Sequence, residues 1–338
     1  MSLSSTAAAS FSAPPASASQ LLEREFIIEV APVYLAKARP PNPERVTSWR
    51  SRSLMPLLNR LHSPVTGLVQ QNMRVDGHRL IWLEGGNRLG EPVVLLHGFG
   101  ASKENWLPLL PFLAKRYHLF VLDLPAWGES QFNPEARYGM DEQVARVAAW
   151  LPAAVRGPAH VVGSSMGGGV AGLLAGRHPQ LVRSLVLMNA AGVAGKEHTP
   201  FELGLMQGRN GLIAHNLKGV FDLLAMTMSS RILAALMAPA MSSDLISRRH
   251  VNEHLFRQML ELDPDPALPA FSSVKAPTLV LWGRKDRVLH VSCTEVFQKL
   301  IPQAQVKVLD HVGHLPMVEV PRVSARLLRQ HWRQIGSH

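Results

Sequence analysis

Cysteine is almost absent from this chain. Of 338 residues only Cys293 is a cysteine, which excludes an intramolecular disulfide and any zinc site built on clustered cysteines. Cys293 is expected to be an ordinary packing residue, and its isolation fits a reducing, cytoplasmic setting. Long apolar runs are missing too. No window reaches the ~18 uninterrupted apolar residues of a membrane span; FDLLAMTMSSRILAALMAPAM, the nearest approach, is broken by Asp222, Ser229, Ser230 and Arg231. Acids are scarce relative to bases, 25 Asp and Glu against 35 Lys and Arg, for a formal net charge of +10. That excess favours anionic surfaces, but aromatics at 6% and the lack of a recognisable module argue against nucleic acid. The N-terminal MSLSSTAAASFSAPPASAS has neither the basic nor the sustained apolar region of a secretory signal. Residues 1–20 are expected to form a disordered tail, and residues 21–66 a partly helical extension.

What the chain does have is apolar material, 46% of residues against 18% charged, enough for a sizeable core. From residue 67 the pattern becomes regular. Residues 67–75 and 78–84 read as strands joined at Asp76-Gly77, a hairpin dipeptide. EPVVLLHGF, HLFVLDLP, AHVVGSS, VRSLVLMNA, PTLVLWG and QVKVLD are short apolar runs of the kind found in sheets buried on both faces. Helical patterns alternate with them: one around Trp106, Leu107, Leu110 and Leu113, then MDEQVARVAAWLPAAV, MGGGVAGLLAGRHP, 291–300, and a basic helix from about 322. This alternation predicts an α/β fold, a mostly parallel central sheet flanked by helices. The core is expected at 67–192 and 270–338. The stretch 193–269, rich in Leu, Met and Ala without strand-like runs, is expected to be an inserted helical cap.

The stretch HVVGSSMGGGV places two serines among four glycines. Only Ser165 has glycine two positions before and two after, Gly163 and Gly167. A nucleophile at the tip of a sharp strand-to-helix turn has strained backbone, and side chains at both flanking positions would clash. The following helix points its N-terminus at this serine, favouring developing negative charge. Ser164 is expected to support the turn by hydrogen bonding or to point away. A serine needs a base, and the base an orienting acid. Asp286 follows PTLVLWG and His314 follows QVKVLD, in the chain order Ser, Asp, His. Asp310 and His311 lie nearby, but Asp310 ends a strand and His311 lacks the Gly-His setting of His314. The HGFG loop, residues 97–100, offers the backbone N–H of Phe99 as one oxyanion donor, with Met166 supplying the second. His97 is expected to brace that loop. No ligands stand at metal spacing, so neither metal nor cofactor is expected.

With these residues assembled, LLHGFG, DLPAWGES, HVVGSSMGG, LVLWGRKD and VGHLPMVE resemble the α/β-hydrolase family over about residues 67–335. Within it the likeness is to bacterial lipases and esterases and to monoacylglycerol lipases, whose cap opening is similar to NAAGV and TPFELGLMQGRNGL. Two positions depart from the family pattern: Ser164 where Asn is usual and Ala126 where Gly is usual. The resemblance implies a serine carboxylester hydrolase acting through an acyl-enzyme on neutral acyl esters or lipids. The same triad could instead serve carbon–carbon bond hydrolysis of ring-cleavage products, or stand idle in a protein that only binds a ligand or partner. Met206, Leu224, Met228 and Met237 of the cap are candidate pocket residues, since thioethers and leucines make an adaptable apolar wall, although cap core would have the same composition. Residues 45–62, basic and amphipathic, are a candidate for peripheral contact with an anionic membrane. Nothing in the sequence sets an oligomeric state.

Overall fold

A computed structural model describes residues 30–49, 66–261 and 267–336. Eight strands form one sheet in the order β1-β2-β4-β3-β5-β6-β7-β8: β1 (Val69–Val75), β2 (His78–Gly86), β3 (Pro92–Leu96), β4 (His118–Leu122), β5 (Ala159–Ser164), β6 (Val182–Met188), β7 (Thr278–Gly283) and β8 (Gln305–Leu309). The first hairpin is antiparallel and turns at Asp76 and Gly77, both with positive φ (48° and 74°), the twist that a two-residue hairpin needs. β2 also pairs antiparallel with β4, and every other pairing in the sheet is parallel. Strands β3, β5, β6 and β7 are almost entirely buried. Their side chains are apolar on both faces because helices cover both.

Among the described residues the helices are α1 (Ala31–Lys37), α2 (Pro43–Thr47), α3 (Met140–Ala154), α4 (Met166–Arg177), α5 (Pro200–Met206), α6 (Leu217–Thr227), α7 (Arg231–Ser247), α8 (Arg249–Glu261), α9 (Ala267–Ser272), α10 (Cys293–Leu300), α11 (Pro316–Glu319) and α12 (Pro321–Ile335). The segment around Trp106 is not the α-helix its spacing predicts. It is two 3₁₀ turns, Lys103–Trp106 and Leu110–Phe112, because Pro108 and Pro111 lack the N–H groups a continuous helix would use. The apolar side chains that gave the helical spacing, Trp106, Leu110 and Leu113, are nonetheless buried.

Between β6 and β7 the chain leaves the sheet and makes α5 to α9. Helices α6 and α7 share a small apolar core of their own, including Val220, Leu224, Met228, Ala234 and Ala238. Helix α9 straddles the boundary expected at 269/270 and already packs on the sheet layer, with Phe271 beside Gly172 of α4. The N-terminal extension lies against this insertion. Lys37 Nζ donates to the Met206 carbonyl (2.8 Å), Arg257 donates to the Leu35 and Ala38 carbonyls (3.1 and 2.7 Å), and Tyr34 meets Phe256 edge-on. Trp49 is stacked under the Arg248 guanidinium, 4.5 Å from carbon to ring centre. Val46 and Trp49 of the basic stretch therefore face protein while Arg45 is exposed, and residues 50–62 of it, like the tail at 1–20, lie outside the described residues. Among the described residues no helix is long and apolar enough to cross a membrane.

Candidate active site

Ser165 occupies the one-residue turn between β5 and α4 with φ 54° and ψ −123°, a conformation costly for any residue with a Cβ. Hydrogen bonds hold it there. Its N–H donates to the Met188 carbonyl (3.1 Å), and its own carbonyl accepts from Gly168, Gly169 and Ala191 (2.8, 3.1 and 2.9 Å). The flanking glycines are required by contact. A Cβ on Gly163 would sit 2.1 Å from the Gly167 carbonyl oxygen, and one on Gly167 would sit 2.4 Å from the carbonyl oxygens of Leu96 and His97. The turn thus exists only with small residues at both positions.

Asp286 lies in the turn after β7. Its Oδ1 accepts the N–H groups of Val288 and Leu289 (2.8 and 3.1 Å), and its Oδ2 accepts His314 Nδ1–H (2.7 Å) and Asn189 Nδ2–H (2.7 Å). Four donors on two oxygens saturate the carboxylate and fix it as an acceptor. The His314 ring therefore carries its proton on Nδ1 and leaves Nε2 free as a base. His314 and Ser165 line the same cavity, about 360 Å³, whose wall also includes Phe99, Leu212, Leu223, Leu224 and Met237.

The HGFG loop passes over this site. The Gly98 carbonyl accepts from His97 Nδ1–H (2.8 Å) and from the Ala101 N–H (3.3 Å). Across a trans peptide the following N–H points the opposite way, so the Phe99 donor is turned away from those partners. Met166 is the first residue of α4, where N–H groups have no acceptor within the helix. The loop is anchored behind by Lys103, which is fully enclosed. Its Nζ lies 2.7 Å from Asp123 Oδ2, 2.7 Å from Glu129 Oε2 and 3.0 Å from Glu104 Oε1, and its N–H donates to Asp123 Oδ1 (2.7 Å). Burial disfavours its charged form, but Asp123 and Glu104 outweigh that and hold Lys103 well above the usual lysine value.

Comparison with known proteins gives the family. A family model described as "Alpha/beta hydrolase family" matches residues 93–327. The chain belongs to the α/β-hydrolase family. Among relatives of this hydrolase, Lipase 1 of Psychrobacter immobilis is 30% identical over 246 residues, 72% of this chain and 77% of that protein. Monoacylglycerol lipase abhd6-B of Xenopus laevis is 30% identical over 247 residues, 70% of this chain and 73% of that protein. Among solved structures, one titled as a membrane phospholipase A and bacterial virulence factor superposes with a TM-score of 0.76 at 32% identity, covering 84% of this chain and 92% of that one.

The structure of this hydrolase separates the other residues that the sequence singled out. Leu224 and Met237 line the cavity, whereas Met206 and Met228 do not. Met206 ends α5, on the side held by α1, and Met228 is sealed inside the core that α6 and α7 share. Hydrophobicity could not separate these faces. Of the two expectations for Ser164, hydrogen bonding within the turn or pointing away, the first is not met: its hydroxyl is buried without a protein partner. Asp310 is exposed and paired with Arg284 (2.6 Å), and His311 is exposed. Asn189 went unnoticed in the sequence. It follows β6 with a positive φ of 44°, which Asn tolerates better than most residues, donates to Asp286, and accepts the Gly283 N–H (3.3 Å). A single polar residue closing an apolar strand was the signal available.

His97 is enclosed completely, and burial pushes its pKa down to about 4. Its Nε2 accepts the Leu124 N–H (2.9 Å), which requires the neutral ring. Between pH 4 and 6.5 the unfolded chain binds this proton and the folded one does not, so stability rises with pH through that window. Comparing unfolding free energies of the parent and His97→Ala isolates this group. The parent's advantage is expected to shrink by about 3 kcal/mol as pH falls from 7 to 4. A pH-independent difference in denaturant melts would contradict a neutral His97.

Proposed function

We propose that this chain hydrolyses neutral carboxylic esters through an acyl-enzyme, with Ser165, His314 and Asp286 as the catalytic triad. His314 Nε2 takes the hydroxyl proton as Ser165 Oγ attacks the acyl carbon. The backbone N–H groups of Phe99 and Met166 receive the tetrahedral oxyanion, each such donor contributing about 3 kcal/mol to its stabilisation. Collapse expels the alcohol, protonated by His314, and water then releases the acid by the same route in reverse. The observation that carries this reading is the pairing of Ser165 and His314 in one cavity whose wall contains no Lys or Arg among the described residues. Carbon–carbon hydrolysis of a dienoate would need a cation for the substrate carboxylate, yet the titratable wall residues besides His314 are acids, Glu104 and Asp244. The relatives named as lipases support an acyl chain as the occupant. Buried, unpaired Cys293 fits a reducing compartment, and a lipid-surface contact through residues 45–62 is proposed from sequence.

A ladder of p-nitrophenyl esters tests the proposal. Medium-chain esters are expected to be turned over fastest, because a cavity of about 360 Å³ lies near the small end of ligand pockets, which run to about 1,000 Å³. A fluorophosphonate should label Ser165 alone. Turnover of a vinylogous diketone without turnover of any ester would overturn the assignment, and absence of labelling would indicate a protein that only binds.

A further inference from the structure

The histidine loop and the insertion are joined by one carboxylate. Glu319 closes α11, five residues after His314. Its Oε1 accepts the Gly313 N–H (2.8 Å), and its Oε2 accepts both the Ser229 N–H (2.8 Å) and the Ser229 hydroxyl. Beside this, the His314 N–H donates to the Thr227 carbonyl (2.7 Å). Thr227 ends α6 and Ser229 lies in the short link to α7, so two backbone segments from different parts of the chain converge here. The approach is close: a Cβ on Gly313 would lie 2.9 Å from the Ser229 nitrogen and the Thr227 oxygen. Gly313 is thereby explained as the residue that lets the link touch the histidine loop.

Helices α6 and α7 supply Leu223, Leu224, Thr227, Met237 and Met241 to the cavity wall. The link between them is the point where that wall meets the catalytic machinery. We propose that Glu319 is a positioning residue that sets the His314 backbone and the acyl-facing helices in one register. Substrate fit at α6 and α7 and the orientation of the imidazole then depend on each other through a single carboxylate. Charge-assisted bonds of this kind are the strong ones, and a carboxylate that accepts from three donors has no neutral substitute. Glutamine offers one acceptor oxygen, so it can serve Gly313 or Ser229 but must set an N–H₂ group against the other donor.

The inference rests on the triad reading above, and its test separates the two. Parent, Glu319→Gln, Glu319→Asp and Ser229→Ala are compared by kcat and KM on an acetate and an octanoate ester, by the rate of fluorophosphonate labelling, and by thermal unfolding. In Glu319→Gln, kcat and the labelling rate should fall together by about 100-fold, the penalty of displacing a catalytic group by about an ångström. The octanoate preference should shrink in the same variant. Glu319→Asp should recover part of both effects, and Ser229→Ala, which removes only the hydroxyl bond, should show a smaller loss in the same direction. The proposal is overturned if folded Glu319→Gln is labelled within about threefold of the parental rate. It is equally overturned if the lost activity matches a lost fraction of titratable sites, each working at parental kcat. Should Glu319→Gln not fold, Ser229→Ala decides: parental labelling with an unchanged chain-length preference rejects the clasp. Labelling that persists in Ser165→Ala would instead reject the triad on which the clasp depends.

Discussion

Ser165→Ala is expected to lower turnover of a medium-chain p-nitrophenyl ester by around a million-fold, the loss seen when a triad nucleophile is removed. The magnitude follows from the geometry. Without the hydroxyl, His314 Nε2 has no proton to accept from protein, and the chemistry reverts to a water that nothing positions. The proposed oxyanion donors at Phe99 and Met166 would remain, since both are backbone groups, so a residual rate above uncatalysed hydrolysis should persist. Stability should change little, because Ser165 is held by its N–H and carbonyl and not by its side chain. Alanine retains the Cβ, so the strain at φ 54° stays as it is. A folded Ser165→Ala protein that kept a tenth of parental turnover would remove Ser165 as nucleophile. The assay is the initial rate per mole of folded protein, with the parent expressed and purified in parallel.

Asp286→Asn should cost about 10⁴-fold in kcat, and the hydrogen bonds around residue 286 say why. The carboxylate receives Val288 and Leu289 N–H on one oxygen and His314 and Asn189 on the other. An amide has one oxygen, so its N–H₂ group must face one of these pairs. Val288 and Leu289 are backbone donors fixed by the turn, whereas His314 can change tautomer. The amide nitrogen is therefore expected on the histidine side, which forces Nδ1 to accept and moves the ring proton to Nε2. That nitrogen can no longer act as base toward Ser165. Because the proton then on Nε2 belongs to a neutral imidazole, which gives it up only in strong alkali, raising the pH should restore little activity. Near-parental kcat in Asp286→Asn would mean that another acid orients His314. Asp123 is unsuitable for that role, being committed to Lys103.

Both predictions concern residues that the sequence singled out, while other parts of the site were not legible there. Ser165 could be chosen over Ser164 because the turn punishes any side chain two positions away, and glycine spacing records that punishment directly. Asp286 and His314 could be chosen because in this architecture functional groups gather where strands end. Asn189 left no comparable trace, and Glu319, although it ends the VGHLPMVE motif, has nothing near it in the chain that points to Ser229. Asn189 reaches Asp286 across 97 positions of chain, and Glu319 reaches Ser229 across 90, so neither bond has a local pattern. The candidate pocket residues divided evenly for a similar reason. Helical spacing tells which residues share a face, but Met228 shows that such a face can turn toward a neighbouring helix and Met237 that it can turn toward the cavity.

By itself the sequence determined what depends on near neighbours: the alternation of strands and helices, the steric demand at the Ser165 turn, and the Asp76-Gly77 hairpin. These are set by backbone geometry over a few residues, and chemistry at that range is written in residue order. The tertiary structure alone decided what depends on distant groups sharing a small volume. It chose which cap residues wall the cavity, left that wall without a Lys or Arg among the described residues, and brought four donors onto Asp286 and three onto Glu319. Packing and electrostatics act through space, and the separation of two residues along the chain carries no measure of that distance.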